Sequence, residues 1–468
     1  LPPKGPSMIL GDTIAAVATA RGPGGIGIIR ISGPEAEGIL RRIFRPRREG
    51  PLPMESHRLY LGRVVAPEPE TVLDEVLATI MKAPHSYTGE DVAEIHCHGG
   101  VLLLERILSE VVRSGARPAG PGEFTRRAFL NDRISLAQAE AVWDLINGKT
   151  EKGLDIALSH LEGALSDRVQ YLRYNLTEAL ALAETSIDFC DEDVSMDPAT
   201  NVPRILEHCM ETASALLSTY REGKIWRDGL SLVIAGKPNA GKSSLLNRLL
   251  GEERAIVSTR PGTTRDFIEE GITVRGIPVR LTDTAGIRQG RDDIEEEGIR
   301  RVWSRIAACD AVLVLLDGSV PLSAEDREII AGTREKKTLL CINKVDLPGV
   351  LDREALRALL PECPPLEISA KFGTGIPELK EAVLGIAALE ETRDMTADRI
   401  LTNLRHKEAL ERALRCLERG REAVAQGMSP ECFALELREA LDALGEITGE
   451  TTNEEILDRI FSRFCIGK

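Results

Sequence analysis

The chain has 468 residues, 59 Lys and Arg against 74 Asp and Glu for a formal net charge of −15, and 43% hydrophobic with 28% charged residues. At roughly 100 to 200 residues per domain this length predicts about three domains, and the ordinary globular composition excludes wholesale disorder. Aliphatic runs such as Ala311–Leu316 fall far short of the ~20 residues that span a bilayer, the acidic balance argues against broad coating of nucleic acid, and nine cysteines without a closely spaced pair suit a reducing cytoplasm better than a disulfide framework or zinc ribbon.

No charged head followed by an apolar run opens the chain, so a signal peptide is not expected; Met8 stands where a native start would fall, with Leu1–Ser7 ahead of it as a remnant. Residues 8 to about 125 mix short β-branched runs, Ile26–Ile31 and Val92–His96, with Gly and Pro punctuation, which predicts an α/β domain. Within it, Arg41, Arg42, Arg45, Arg47 and Arg48 form a basic run that reads either as a local nucleic-acid patch or as a solvated face. His96-Cys97-His98 invites a metal reading, but strand alternation sends the imidazoles to one face and the thiol to the other, so a structural role is expected.

From Ile134 to Phe189 the apolar residues take helical spacing, for example Leu158, Leu161, Leu165, Val169, Leu172 and Leu176, predicting long packed helices. A further helical stretch runs from Pro203 to about Glu222, and the texture returns from about Thr396, with Ser429 and Pro430 placed as N-cap and first helical residue. Between them, strands at Leu230–Ala235, Val279–Thr282, Ala311–Leu316, Leu339–Ile342 and Leu366–Ile368 alternate with helix-like segments, which predicts a parallel sheet with crossover helices. An α/β domain is therefore expected inside a helical one, and the whole chain is expected to be α/β plus all-α.

Gly236-Lys237-Pro238-Asn239-Ala240-Gly241-Lys242-Ser243 follows the first of these strands and precedes a helix starting near Ser244, the setting of a phosphate-binding loop. Its backbone N–H groups and the helix N-terminus suit phosphate, Lys242 suits the β- and γ-phosphates, and Ser243 suits Mg²⁺. Asp283-Thr284-Ala285-Gly286 ends another strand, so Asp283 can approach the Mg²⁺ shell and Gly286 can offer its N–H to a γ-phosphate. Thr264, in Gly262-Thr263-Thr264-Arg265-Asp266, is placed to complete that shell while the triphosphate is present. Asn343-Lys344-Val345-Asp346 offers the Asp346 carboxylate to guanine's ring N–H and exocyclic amine together, a pair that adenine lacks, and Ser369-Ala370-Lys371 would support the base. GTP is the expected nucleotide. Where many GTPases carry a water-orienting glutamine this chain has Ile287, so another group must hold the water, and the transition state needs a positive charge of the kind an arginine finger supplies, worth ~10³ to 10⁵ in rate. Asn239 offers an oxygen that could hold a monovalent cation, and Asp292, Asp293, Glu295, Glu296 and Glu297 include candidates to orient water or form a solvated helix face.

The five motifs, in this order, resemble the translation-factor-related GTPases. From Gly11 to Lys468 the sequence resembles one family among them, the tRNA-modification GTPases called MnmE or TrmE. The resemblance is carried by Gly24-Gly25-Ile26-Gly27 leading to Arg30-Ile31-Ser32-Gly33, Thr88-Gly89-Glu90-Asp91, His98-Gly99-Gly100, Pro121-Gly122-Glu123-Phe124-Thr125, Ala128-Phe129-Leu130-Asn131 and the terminal Phe464-Cys465-Ile466-Gly467-Lys468. It implies an N-terminal folate-binding and dimerisation domain at 8–127, a helical domain split between 128–222 and 390–468, and a Ras-like GTPase domain inserted at 223–389.

The resemblance also implies site residues. GTP would meet Asn239, Ala240, Gly241, Lys242, Ser243 and Ser244; Ser258, Thr259, Arg260, Pro261, Gly262, Thr263 and Thr264; Asp283, Thr284, Ala285 and Gly286; and Asn343, Lys344, Asp346, Ser369, Ala370 and Lys371. K⁺ would be held by Asn239 with groups at Ser258, Arg260 and Thr263, Glu295 would position the water, and Asn239 and Lys242 would complete the catalytic set. Arg30, Glu94, Arg133 and Lys468 would hold a tetrahydrofolate, 5-formyl- or methylene-substituted, with Arg133 standing where the family often has lysine and an ordinary salt bridge as the alternative for Arg30 and Glu94. Cys465 would face that pocket or be a buried structural thiol. The function implied is a homodimeric, K⁺-stimulated cytoplasmic GTPase that works with an FAD-containing partner of the MnmG or GidA family on the tRNA wobble uridine, with no membrane involved. A ribosome-assembly GTPase and a folate aminomethyltransferase with an appended regulatory GTPase domain are the alternatives.

Overall fold

The computed structural model describes residues 11–20, 22–47, 54–67, 70–188, 198–252, 269–283, 303–387 and 397–468. They fall into two compact units, one drawn from the chain up to Ile146 with His160–Met210 and Arg412–Lys468, the other from Asn147–Ser159 and Glu211–Glu411. Among the described residues no helix is long and apolar enough to cross a membrane.

The first unit holds a seven-stranded sheet of β1 (Ile14–Val17), β2 (Gly24–Ser32), β3 (Phe44–Pro46), β4 (Tyr60–Pro67), β5 (Glu70–Met81), β6 (Val92–Gly99) and β7 (Arg117–Pro118). Their order is β3-β4-β5-β6-β2-β1-β7, antiparallel except for the β1–β7 pair. Period-two alternation sends Ile29, Ile31, Ala93, Ile95, Ala78 and Ile80 to one face, where helices Ala36–Ile43 and Val101–Arg113 cover them with Ile39, Leu40, Ile107 and Val111. Arg30, Glu94 and His96 consequently point to the opposite face, and Arg30 stands directly across from Glu94 in the β2–β6 register. There Phe124, at the start of helix Glu123–Leu130, packs with Ile14, Ala16, Ala119 and Tyr87.

The basic run is an ion-paired surface. Arg41 bonds Glu37 at 2.5 Å and Arg42 lies 3.5 Å from Glu35, while Arg45, in β3, donates to the Arg41 and Arg42 carbonyls at the end of the preceding helix and Arg47 faces Glu75 at 3.9 Å. Arg48 lies outside the described residues.

The same unit contains helices Leu136–Asn147, Ala164–Asp188, Pro430–Thr448 and Glu454–Phe461. Leu136, Ala139 and Val142 pack against Leu457, Phe461 and Phe464, which returns the end of the chain to the beginning of the helical region. Ser429 takes the N-cap position before Pro430, as its sequence context predicts, but its hydroxyl makes no cap bond and lies 3.6 Å from the Cys432 sulfur. Ile466 bridges Pro121, and the Gly122 N–H donates to the Cys465 carbonyl at 3.3 Å. At Gly467 the backbone has φ 101°, and a side chain would run into the Val17 carbonyl, so glycine is required there.

The second unit is built on a six-stranded sheet of β8 (Leu230–Ala235), β9 (Glu269–Val274), β10 (Ile277–Asp283), β11 (Ala311–Asp317), β12 (Lys337–Asn343) and β13 (Leu366–Glu367). The order is β13-β12-β11-β8-β10-β9, parallel except for the β9–β10 hairpin. The five predicted strands are all present, and β9 is an additional edge strand. Apolar side chains cover both faces of the sheet. The chain order reverses at β8, between β10 and β11, so the loop leaving its carboxyl end lies at the switch point where open α/β sheets bind ligands.

Candidate functional site

The phosphate-binding loop leaves β8 and runs into helix Lys242–Glu252. Asn239 occupies the left-handed region at φ 67°, which asparagine tolerates better than most side chains, and Gly241 has φ 98° where a side chain would strike the Asn343 amide. Lys242 is only 6% exposed, and its ammonium donates to the carbonyls of Gly236 and Lys237, each at 2.6 Å. The loop therefore wraps around a fixed positive charge beside the N-terminus of a helix, an arrangement suited to phosphate.

Asn343 ties this loop to the Ser369-Ala370-Lys371 segment expected to support the base. It is 2% exposed, its Nδ2 donates to the Ala240 carbonyl at 2.8 Å, and its Oδ1 accepts from the Ala370 N–H at 3.0 Å. The Ser369 hydroxyl donates to Asp346 Oδ1 at 2.7 Å, fixing the orientation of that carboxylate, and accepts from the Phe372 N–H at 3.3 Å. Arg248, from the helix that follows the loop, donates to the Ala370 carbonyl at 3.2 Å and also to that of Lys371. Lys344 has φ 64° and places its ammonium 2.6 Å from Asp317. Burial pushes the Asp317 carboxyl upward, but the Lys344 ammonium and the bonds from Ser319 outweigh it, so the acid stays below the ordinary aspartate range. The motifs do not flag Arg248 or Asp317; the available signal for Asp317 is its place at the end of β11, paired in register with Asn343.

Ser258, Thr259, Arg260, Pro261, Gly262, Thr263 and Thr264 lie outside the described residues, as do Thr284, Ala285, Gly286, Ile287, the acidic run and Glu295. Asp283 closes β10, but only its backbone is described. Of the expected K⁺ set Asn239 is described, and of the Mg²⁺ set Ser243, at the helix start.

The first unit carries a second polar cluster. Arg30 Nε bonds Glu94 Oε1 at 2.9 Å, and His96 Nε2 lies 3.1 Å from the other Glu94 oxygen. The Arg30 guanidinium is 5.3 Å from the Tyr87 ring centre and 5.8 Å from that of Phe124, rings that the sequence reading had not assigned to this place. Burial pushes the half-buried Lys468 ammonium below the ordinary lysine range, the positive charge of Arg30 adds to that, and Glu94 opposes it. Gly467 lies against the Val17 backbone, and Val17 pairs with Ile29 beside Arg30, so the end of the chain reaches the strands that carry this pair.

Arg133 is not joined to this trio; its Nε donates to the Ser86 carbonyl at 3.3 Å, beside Tyr87. Cys465 is exposed, which overturns the buried-thiol alternative, and its backbone carbonyl receives Gly122 and Lys468 N–H groups. The structural reading of His96-Cys97-His98 holds. His96 turns to Glu94, His98 to Asp74 at 2.8 Å, and the buried Cys97 thiol donates to the Gly27 carbonyl, with burial pushing it up to about 11.

Two family models match the chain: the MnmE helical domain over residues 136–465 and the GTP-binding protein TrmE N-terminus over residues 13–133. The chain is 52% identical over 460 residues to a tRNA modification GTPase MnmE of Syntrophus aciditrophicus, covering 98% of this chain and 100% of that protein. It is 49% identical over 470 residues to the protein of the same name from Geobacter metallireducens, again covering 98% and 100%. Among solved structures, the G domain of the T. maritima FeoB iron transporter is 26% identical, covering 34% of this chain and 98% of that one at a TM-score of 0.27. Aquifex aeolicus Era bound to GDP and aluminium fluoride is also 26% identical, covering 40% and 66% at a TM-score of 0.28.

Proposed function

The chain belongs to the MnmE family of tRNA modification GTPases and is a GTP-hydrolysing enzyme of tRNA modification, and we propose that it acts on C5 of the wobble uridine with a tetrahydrofolate one-carbon donor and an FAD-containing partner of the MnmG family. In this reading GTP lies between the Lys242 loop and the Asp346–Ser369 pair. Ser243, Thr264 and Asp283 would hold Mg²⁺, which neutralises phosphate charge. Asn239 with groups at Ser258, Arg260 and Thr263 would hold K⁺ in place of an arginine finger, and Glu295 would orient the water that Ile287 cannot.

The observation that carries the reading beyond GTP hydrolysis is the Arg30–Glu94 pair on β2 and β6, with the Gly467–Lys468 end of the chain brought to the neighbouring strand β1 through the contact of Gly467 with Val17. Its donor set suits a reduced folate. Glu94 can accept from a pterin's amino and ring N–H groups, the two cations suit its carboxylates, and the partly exposed Tyr87 ring, backed by the fully buried Phe124, offers an apolar surface beside them. Bound tetrahydrofolate would supply the one-carbon unit, and the chain's residues would bind and orient it. Arg133 enters this reading only by resemblance, through the Ser86–Tyr87 segment it holds. A homodimer in the cytoplasm, with domains at 8–127, 128–222 with 390–468, and 223–389, completes the proposal.

The test is the content of aminomethyl- or carboxymethylaminomethyl-uridine at the wobble position of tRNA from cells with and without the protein, beside calorimetry with 5-formyltetrahydrofolate. Unchanged wobble uridine would favour the ribosome-assembly alternative, which needs no pterin pocket.

A further inference from the structure

Helix Ala324–Gly332 follows β11 after the connection 318–323 and is no part of the five nucleotide motifs, yet its first turn reaches the phosphate loop. We infer that Asp326 is a positioning residue for the phosphate-binding Lys242, acting through Lys237. Asp326 is 2% exposed, and its Oδ2 lies 2.6 Å from the Lys237 ammonium. The same oxygen accepts from the Ser323 N–H at 3.0 Å and the Ser323 hydroxyl at 2.9 Å, and Lys237 also donates to that hydroxyl at 3.0 Å. Ser323 and Asp326 form a reciprocal capping box, so their geometry is set by the helix itself.

Asp326 Oδ1 is buried with no hydrogen-bond partner among the described residues. All the polar compensation for this carboxylate therefore falls on the oxygen that faces Lys237 and Ser323. A buried carboxylate left without its cation is costly, so the pair resists separation. Pinning the Lys237 side chain fixes that residue's backbone, and the Lys237 carbonyl is one of the two acceptors that hold the Lys242 ammonium at 2.6 Å. Released from Asp326, Lys237 would leave its carbonyl free to turn, and Lys242 would lose half of the cradle that aims it at the phosphates. The base-binding edge is held independently through Asn343 and Ser369. The loss should therefore scale with the number of phosphates.

The test compares binding of GMP, GDP and a non-hydrolysable GTP analogue by calorimetry in the full-length protein. Asp326→Asn perturbs the capping box, so Lys237→Met, which leaves the box intact, is the decisive variant. Each change should weaken GDP and the GTP analogue about five- to tenfold while GMP changes less than about twofold, and the double variant should lose no more than either alone, since the two residues act as one unit. Lys237→Arg, which keeps the charge, should bind GDP within about threefold of the parent. Parent-like GDP affinity in Lys237→Met, an equal loss for GMP and GDP, or additive losses in the double variant would each overturn the inference.

Discussion

Changing Asp346 to Asn alters hydrogen-bond chemistry at the base while leaving the fold in place. The Ser369 hydroxyl, on a residue 1% exposed, donates to Asp346 Oδ1 at 2.7 Å, and an asparagine side-chain oxygen can accept the same bond. The amide nitrogen would then occupy the place of the second carboxylate oxygen, presenting N–H groups to guanine's own N–H donors. Hydrogen bonds to a charged group contribute about 1.5 to 3 kcal/mol each, and one guanine donor loses its acceptor while the other keeps an uncharged oxygen, so at least about 1.5 to 3 kcal/mol is removed, or ~10 to 10² in guanine affinity. Xanthine carries an oxygen where guanine carries its amine and recovers part of that loss. In a hydrolysis assay kcat/KM for GTP should fall by that factor, chiefly through KM, while kcat/KM for the xanthine nucleotide rises relative to it. Unchanged discrimination between the two nucleotides would remove Asp346 from the base site and refute the reasoning.

Asn343→Ala should leave the buried Ala240 carbonyl and Ala370 N–H without their partner, at about 1 to 3 kcal/mol each, and lower the midpoint of the nucleotide unit's unfolding in a denaturant titration; an unshifted midpoint would count against that junction. K⁺ should accelerate hydrolysis far more than Na⁺ at matched ionic strength, with Asn239→Ala abolishing the difference, and equal rates in the two salts would exclude a bound monovalent cation. Glu295→Ala should slow turnover without loss of GTP binding in a parallel titration, whereas a parent-like rate would return Glu295 to the solvated acidic face.

The nucleotide unit was legible because β8, β11 and β12 lie inside the sheet and read as largely apolar runs, with motif residues at the carboxyl ends of β8 and β12. The edge strand β9 escaped because Glu-Glu-Gly opens it and its apolar residues are few. Motif spacing could give Lys242, Asn343 and Asp346, but not the pairs Lys237–Asp326 and Lys344–Asp317. Those depend on which strands become neighbours, and a sequence of alternating strands and helices does not state the sheet order. In the first unit, alternation along β6 correctly separated Cys97 from His96 and His98. Nothing local to Arg30 announced Tyr87 or Phe124, which reach it through a loop and a helix distant in sequence. Arg133 shows the limit of position alone, since its guanidinium finds a backbone carbonyl rather than the pocket's charges.

The end of the chain offers the sharpest separation between the two sites. Deleting Cys465–Lys468 removes the Pro121 bridge, the Gly122 hydrogen bond and the Lys468 ammonium, but leaves Phe464 in its cluster and every nucleotide motif in the chain. One net hydrogen bond is worth about 1 kcal/mol, so the truncated protein should fold and keep basal GTP hydrolysis while losing 5-formyltetrahydrofolate binding. Lys468→Met isolates the charge and should weaken folate binding with the terminal backbone contacts intact. The ammonium also makes this binding pH-dependent. Burial and Arg30 hold its pKa below the ordinary 10.5, whereas the ligand's carboxylates favour the charged form. Affinity should therefore be full below that lowered pKa and decline as pH rises through it, at a pH short of 10.5, and the decline should vanish in Lys468→Met. Calorimetry across a pH series, with a GTPase assay on the same preparations, reads all of these. Parent affinity in the truncated protein would make the terminus a packing element alone, and an unchanged pH profile in Lys468→Met would assign the titration to another group.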